Sequence, residues 1–156
     1  MPDIDISRRS ALGLTMIALA FLAVPTSLAQ MTGEDAIIGL WEADDGSVKL
    51  DMYKEGTEFR ARLLYGNQIM EADNTTFRLD TKNPDPALRS RSLEKIVFIQ
   101  RLHWDNGEWS GGSLYDGSSG STYRCRAEIK DGKMLLRGYL GISILGQTRA
   151  FHRITG

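Results

Sequence analysis

The sequence predicts an all-β protein: a single antiparallel up-and-down barrel of about eight strands with one long ordered loop. Three observations carry that reading. Turn dipeptides recur at short intervals from Gly39 onward, period-two alternation of apolar and polar residues fills the stretches between them, and helical periodicity is nearly absent. A meander of this length closes naturally into a small barrel, which removes exposed sheet edges and leaves room inside for side chains or one small ligand; an open sandwich is the structural alternative.

The elements follow in order. Asp45-Gly46 separates a strand at Leu40-Trp41 from Val48-Lys49-Leu50-Asp51-Met52, in which Val48, Leu50 and Met52 share one face. Glu55-Gly56 turns the chain into a strand where Phe59, Ala61, Leu63 and Tyr65 alternate with Glu58, Arg60, Arg62 and Leu64. Asn106-Gly107 and Asp131-Gly132 are strong two-residue hairpin signals, because Asn, Asp and Gly tolerate the positive φ that such turns need. They help delimit strands at about 95–104, 108–115, 121–129 and 133–140, and a last strand covers 147–154. Gly66 to Glu94 breaks the rhythm: 29 residues rich in Asn, Asp and Pro, with a short strand expected at Phe77–Asp80. Within it Asp85-Pro86-Ala87-Leu88-Arg89 pairs a capping residue with Pro at the first helical position, which predicts one helical turn in an ordered flap beside one barrel opening.

Ahead of the barrel the chain carries an address. Arg8 and Arg9 precede an uncharged, mostly apolar run from Ala11 to Val24, then Pro25 and the small-x-small site Ser27-Leu28-Ala29. Fourteen residues at ~1.5 Å each reach only ~21 Å, short of the ~30 Å hydrocarbon core, so a signal peptide over 1–29 is expected rather than a membrane anchor. Cleavage is placed between Ala29 and Gln30, leaving residues 30–156 as one barrel domain. Ser7-Arg8-Arg9-Ser10-Ala11-Leu12 resembles a twin-arginine export signal, with Ala11 where Phe is usual and no following Lys, which leaves the export route open. No cysteine follows the cleavage site to take a lipid, and the lone Cys125 cannot form an internal disulfide, so a free periplasmic protein of a Gram-negative cell is expected.

Composition narrows the function classes. With 42% hydrophobic and 25% charged residues the chain is ordinary globular protein, and a net charge of -1 gives no field to draw it onto nucleic acid or anionic lipid. His103, His152 and Cys125 make no metal set, and neither a metalloprotease motif nor a nucleophile elbow is present, so no metal or cofactor is called for. Cys125 shares the parity of Tyr123, Ala127 and Ile129 and reads as a small buried hydrophobe. Asp80, Asp85 and Asp116 lie in or beside loops. Paired acids can do acid–base work, but loop carboxylates more often pin a loop through backbone and Arg hydrogen bonds.

Gly39-Leu40-Trp41 near the start, with Arg149 and Arg153 on the last strand, resembles the Gly-x-Trp and closing Arg of lipocalin-like barrels. First and last strands adjoin in a closed barrel, so a guanidinium there can cover the indole face for ~0.5–2 kcal/mol. Trp41, Tyr115, Tyr123 and Tyr139 either line a cavity or pack a core.

A longer pattern then emerges. Asp80-Thr81-Lys82-Asn83-Pro84-Asp85-Pro86-Ala87-Leu88-Arg89, Gly111-Gly112-Ser113-Leu114-Tyr115-Asp116 and Arg137-Gly138-Tyr139-Leu140-Gly141, in this order, resemble the bacterial domain-of-unknown-function family 2147. The likeness runs from Gly39 through Leu145-Gly146-Gln147-Thr148 to Arg153, with Gly117 where a Pro is usual and Phe151 at what looks like a Trp position. It implies a small exported barrel akin to the calycins and no activity to transfer. A shared site, on this resemblance, falls on Trp41, Asp80, Asn83, Asp85, Arg89, Tyr115, Asp116, Tyr123, Tyr139 and Arg149, while Gly112, Gly138, Gly141 and Gly146 are expected to serve the backbone.

Three functions compete. The leading one is a periplasmic module that binds a small apolar or amphipathic ligand in the barrel, with the 66–94 loop as a lid. An envelope interaction or stress-related module, docking an unknown protein through Asp85 and Arg89, is second. A hydrolase or isomerase is third; it requires Asp80, Asp85 and Asp116 to converge in one cleft.

Overall fold

The computed structural model describes residues 33–140 and 146–155; the expected signal peptide, its cleavage site at Ala29-Gln30, and Gly141 and Leu145 lie outside them. The described residues form eight antiparallel strands: β1 (Gly39–Ala43), β2 (Val48–Glu55), β3 (Glu58–Gly66), β4 (Val97–Asp105), β5 (Glu108–Asp116), β6 (Ser121–Lys130), β7 (Lys133–Tyr139) and β8 (Gln147–Arg153). Each pairs with the next, and β8 pairs with β1 through Trp41 opposite Arg153 and Ala43 opposite Phe151, so the barrel is closed.

The two hairpin dipeptides form as their chemistry requires. Asn106 and Gly107 have φ of 47° and 102°, Asp131 and Gly132 have 52° and 76°, and these mirror-image turns match the twist of the strands they join. In a meander, alternate connections fall at opposite ends. The tight β2–β3, β4–β5 and β6–β7 turns therefore share one end, and the longer β1–β2, β3–β4, β5–β6 and β7–β8 connections share the other.

Two details depart from the sequence expectation. The short strand at Phe77–Asp80 is reduced to two isolated bridges, Met70 with Phe77 and Leu79 with Ser92, because the 66–94 segment folds on itself instead of joining the sheet. In β4, Arg101 adopts φ 61° near Gly111 at φ 74°, and the β4–β5 ladder is interrupted between Gln100–Ser113 and His103–Ser110. The resulting irregularity shifts the strict alternation, so that Ile99 and Leu102, three residues apart, are both fully buried. The expected helical turn is present as the 3-10 segment Pro86–Leu88, with the Asp85 carboxylate accepting from the Ala87 N–H at 2.9 Å.

The tight-turn end is sealed. A 3-10 helix, Gly33–Ile37, lies against it: the Trp109 indole N–H donates to the Glu34 carbonyl at 3.0 Å and that of Trp41 to the Ile37 carbonyl at 2.8 Å. Arg153 lies over the Trp41 ring, 4.3 Å from its centroid, and donates to the Ile38 and Ala36 carbonyls at 2.6 Å each. Trp109 meets Phe59 edge-on at 6.2 Å and Trp104 at 4.5 Å. Trp41 and Trp109 are each only 1% exposed, and burial of an aromatic of that size is worth on the order of 4–6 kcal/mol before entropy is subtracted. Cys125, also in this core, has its thiol pushed up to about 12 by burial.

Candidate functional site

Among the described residues the long-connection end is open. A cavity of about 1120 Å³ reaches in from it. Its apolar wall is formed by Val48, Leu63, Ile69, Phe98, Leu114, Leu136 and Phe151, with Tyr115, Tyr123 and Tyr139 among the lining residues. The rim is polar: Asp44, Asp45 and Ser47 come from the β1–β2 connection, Asn67 and Gln68 from β3–β4, Asp116 and Ser118 from the end of β5 and the turn after it, and Gln147, Thr148 and Arg149 from the start of β8. An apolar hollow with a few convergent polar groups is what a small-molecule site requires.

Gly138 contributes the absence of a side chain. A Cβ built there meets only the Tyr123 Cβ, at 4.0 Å, so the room beside it is real space in the cavity wall. Gly112 and Gly146 differ: added carbons would press on Leu102 and Cys125 in one case, and on the Gly138 carbonyl and Tyr139 in the other. At Gly117 a Cβ would fall 2.6 Å from buried Leu93, which fills that position from the loop.

Among the described residues Arg149 is the only basic one lining the cavity. It was expected beside Trp41 with Arg153, but Arg153 alone covers the indole, because Arg149 stands four residues back on the same strand and reaches the opposite end. There its guanidinium donates to the Ser47 hydroxyl at 2.6 Å. Ser47 donates onward to the Asp45 carboxylate, which also accepts from the Ser47 N–H at 3.0 Å. The Ser47 hydroxyl, then its N–H, hold the Asp45 carboxyl below its usual value. Asp44 accepts from Lys133 at 2.6 Å and pairs with the His152 ring at 3.1 Å, and both contacts lower it. For Asp116, burial pushes the carboxyl up, yet hydrogen bonds from Ser119 and Ser118 outweigh it and leave it lowered.

The loop residues behave otherwise. Asp80 is fully buried; it accepts from the Tyr115 hydroxyl, from Asn83 at 2.7 Å, and from Arg91 through two nitrogens at 2.9 and 2.8 Å. Asn83 in turn accepts from the Asp85 N–H at 2.9 Å and, through its backbone carbonyl, from Arg89 at 2.8 Å. Burial, then the neighbouring Asp80 carboxylate, push the Tyr115 hydroxyl up to about 12. Asp80, Asn83, Asp85 and Arg89, expected beside the opening, thus bind one another, and none lines the cavity; only the start of the loop, Asn67 to Ile69, reaches its rim. Asp80, Asp85 and Asp116 do not converge in one cleft: the first anchors the loop, the second caps a 3-10 turn and the third holds the β5–β6 turn. Trp41 sits in the sealed base.

Sequence reasoning did not single out Arg91, Ser47 or Trp109. Arg91 lies eleven residues from Asp80 and meets it only when the loop doubles back, and Ser47 lies 102 residues from Arg149. Trp109, two residues past Asn106-Gly107, carried the one available hint, a large aromatic at the start of a strand. Among the described residues no three His, Cys, Asp or Glu side chains group as metal ligands, and no helix is long and apolar enough to cross a membrane.

A closed eight-stranded meander, sealed at one end and hollow at the other, defines a lipocalin-like barrel. Protein HP1028 from the human pathogen Helicobacter pylori, described as belonging to the lipocalin family, superposes with a TM-score of 0.63 at 23% identity, over 76% of this chain and 82% of that one. A mutant of the fluorescent protein UnaG matches at 14% identity and a TM-score of 0.41, over 77% of this chain and 97% of that one. No curated protein matches. Over residues 39–153 the chain matches the family of uncharacterized proteins conserved in bacteria, DUF2147, and it belongs to that family.

Proposed function

We propose that this protein is an exported periplasmic carrier that holds a small, partly apolar molecule in the open half of its barrel. The observation that carries the reading is the cavity of about 1120 Å³ with an apolar wall and a polar rim, a volume at the upper end of the ~300–1,000 Å³ usual for ligand pockets. The start of the long loop, Asn67 to Ile69, forms one side of the entrance. Export rests on the N-terminal sequence, Arg8-Arg9 followed by an apolar run and Ser27-Leu28-Ala29.

Organic extraction of the natively purified protein, followed by mass spectrometry, tests the carrier reading. A bound small molecule is expected, and Gly138→Phe, which fills the hollow from the wall, is expected to deplete it while the protein stays folded by circular dichroism. An empty wild-type protein that also binds no apolar probe excludes the carrier reading. Recovery in the periplasmic fraction with an N-terminus at Gln30 tests export; a cytoplasmic protein retaining residues 1–29 excludes it.

A further inference from the structure

We propose that the carried molecule is an amphipathic anion whose carboxylate docks on Arg149 at the mouth while its apolar part lies against the half-buried Leu114, Val48 and Tyr139. This deepens the carrier reading and rests on it. The rim carboxylates are largely engaged. Each Asp44 oxygen has a basic partner, Lys133 or His152; each Asp116 oxygen accepts from Ser118 or Ser119; and Asp45 accepts twice from Ser47. Lys82, whose ammonium donates to the Ser118 carbonyl at 2.6 Å, places a further positive charge beside the Asp116 turn.

Arg149 is the opposite case. Among the described residues its guanidinium, with five N–H donors, makes one hydrogen bond, to Ser47, and no salt bridge, while its charge acts on the nearby Asp45 carboxylate. The Ser47 hydroxyl, itself drawn toward Asp45, fixes one edge of the guanidinium and leaves the remaining donors free for a planar, two-oxygen partner. A carboxylate meets that requirement; an alcohol accepts one bond and brings no charge, and an ammonium group is repelled. The Tyr123 hydroxyl, also lining the cavity, makes no hydrogen bond among the described residues and offers a further donor. Inward along β8 the next interior side chain is Phe151, and Leu136 is the cross-strand neighbour of Arg149; both are packed in the core, so what lies beneath the head group is apolar.

Decanoate, decan-1-ol and decylammonium, which share one chain and differ in the head, test this by isothermal titration calorimetry on the purified protein. Decanoate is expected to bind about tenfold or more tighter than decanol, as a charge-assisted hydrogen bond implies, and decylammonium weakest. Arg149→Gln should bring decanoate down to the level of decanol, Arg149→Lys should restore part of the preference, and added salt should narrow the wild-type gap. Equal binding of all three, an ammonium preference, or an unchanged carboxylate preference in Arg149→Gln overturns the head-group inference alone. Binding of none, with nothing extractable from native protein, overturns the carrier reading and this inference with it.

Discussion

Arg153 and Arg149 stand on one strand and face one barrel interior, yet they do different work at its two ends. Arg153 lies over an indole and donates to two backbone carbonyls, and burial lowers its pKa. Arg149 touches one hydroxyl and faces a hollow. What separates them is the layer beneath. Trp41, Trp109 and the Gly33–Ile37 helix fill the base, whereas among the described residues nothing fills the mouth beside Gly138. The same side-chain chemistry is a clasp where two carbonyls and an indole hold it and a docking point where a single hydroxyl does.

That contrast can be broken from the base upward. Trp109→Ala should cost about 3–5 kcal/mol of unfolding free energy in urea, since it removes a buried aromatic and frees the helix that caps the barrel. A loss under 1 kcal/mol would mean the base is not the stability centre. At the loop anchor, Arg91→Met should cost about 3 kcal/mol, because the fully buried Asp80 then lacks its ionic partner. Adding Asp80→Asn to Arg91→Met should recover part of that loss; strict additivity in the double-mutant cycle would show that the pair does not act as a unit.

The two arginines themselves give the sharpest comparison. Arg153→Met should destabilise the fold by about 1–3 kcal/mol through two lost charge-assisted hydrogen bonds and a lost cation–π contact. Arg149→Met should stay within about 0.5 kcal/mol in the absence of ligand. Equal losses in thermal or urea melts would erase the distinction between clasp and docking point.

A pH-dependent effect is expected in alkali. Folding raises Tyr115 from 10.0 to about 12 and Cys125 from 9.0 to about 12, so the folded state holds those protons more tightly than the unfolded chain does. Their contribution is complete well below pH 9, where both are protonated in both states, and is lost as pH climbs toward 12. Urea midpoints measured from pH 8 to 11 should fall, and Tyr115→Phe should flatten the part of the decline above pH 10. An unchanged slope in Tyr115→Phe would show that its hydroxyl is not linked to folding.

Much of the barrel was legible because its signals are local. The Asn106-Gly107 and Asp131-Gly132 turns, the Val48-Leu50-Met52 face and the Asp85-Pro86 cap each depend on residues a few positions apart. The β4 irregularity was not legible: Arg101 is an ordinary residue in an ordinary strand pattern, and its positive φ is set in the company of Gly111 on the neighbouring strand. The candidate site was legible only in part. Tyr115, Asp116, Tyr123, Tyr139 and Arg149 line the cavity, while Asp80, Asn83, Asp85 and Arg89 stabilise the loop, and a carboxylate in a loop looks the same from sequence in either role.

The sequence by itself determined the number of strands, their approximate limits and the common parity of Arg149, Phe151 and Arg153, because turn chemistry and side-chain alternation act over two to four residues. Only the tertiary structure decided which end is sealed, which arginine covers Trp41 and which donors remain open. Those outcomes depend on joining β8 to β1 and on folding the 66–94 segment back on itself, contacts between residues far apart in the chain that no local pattern encodes.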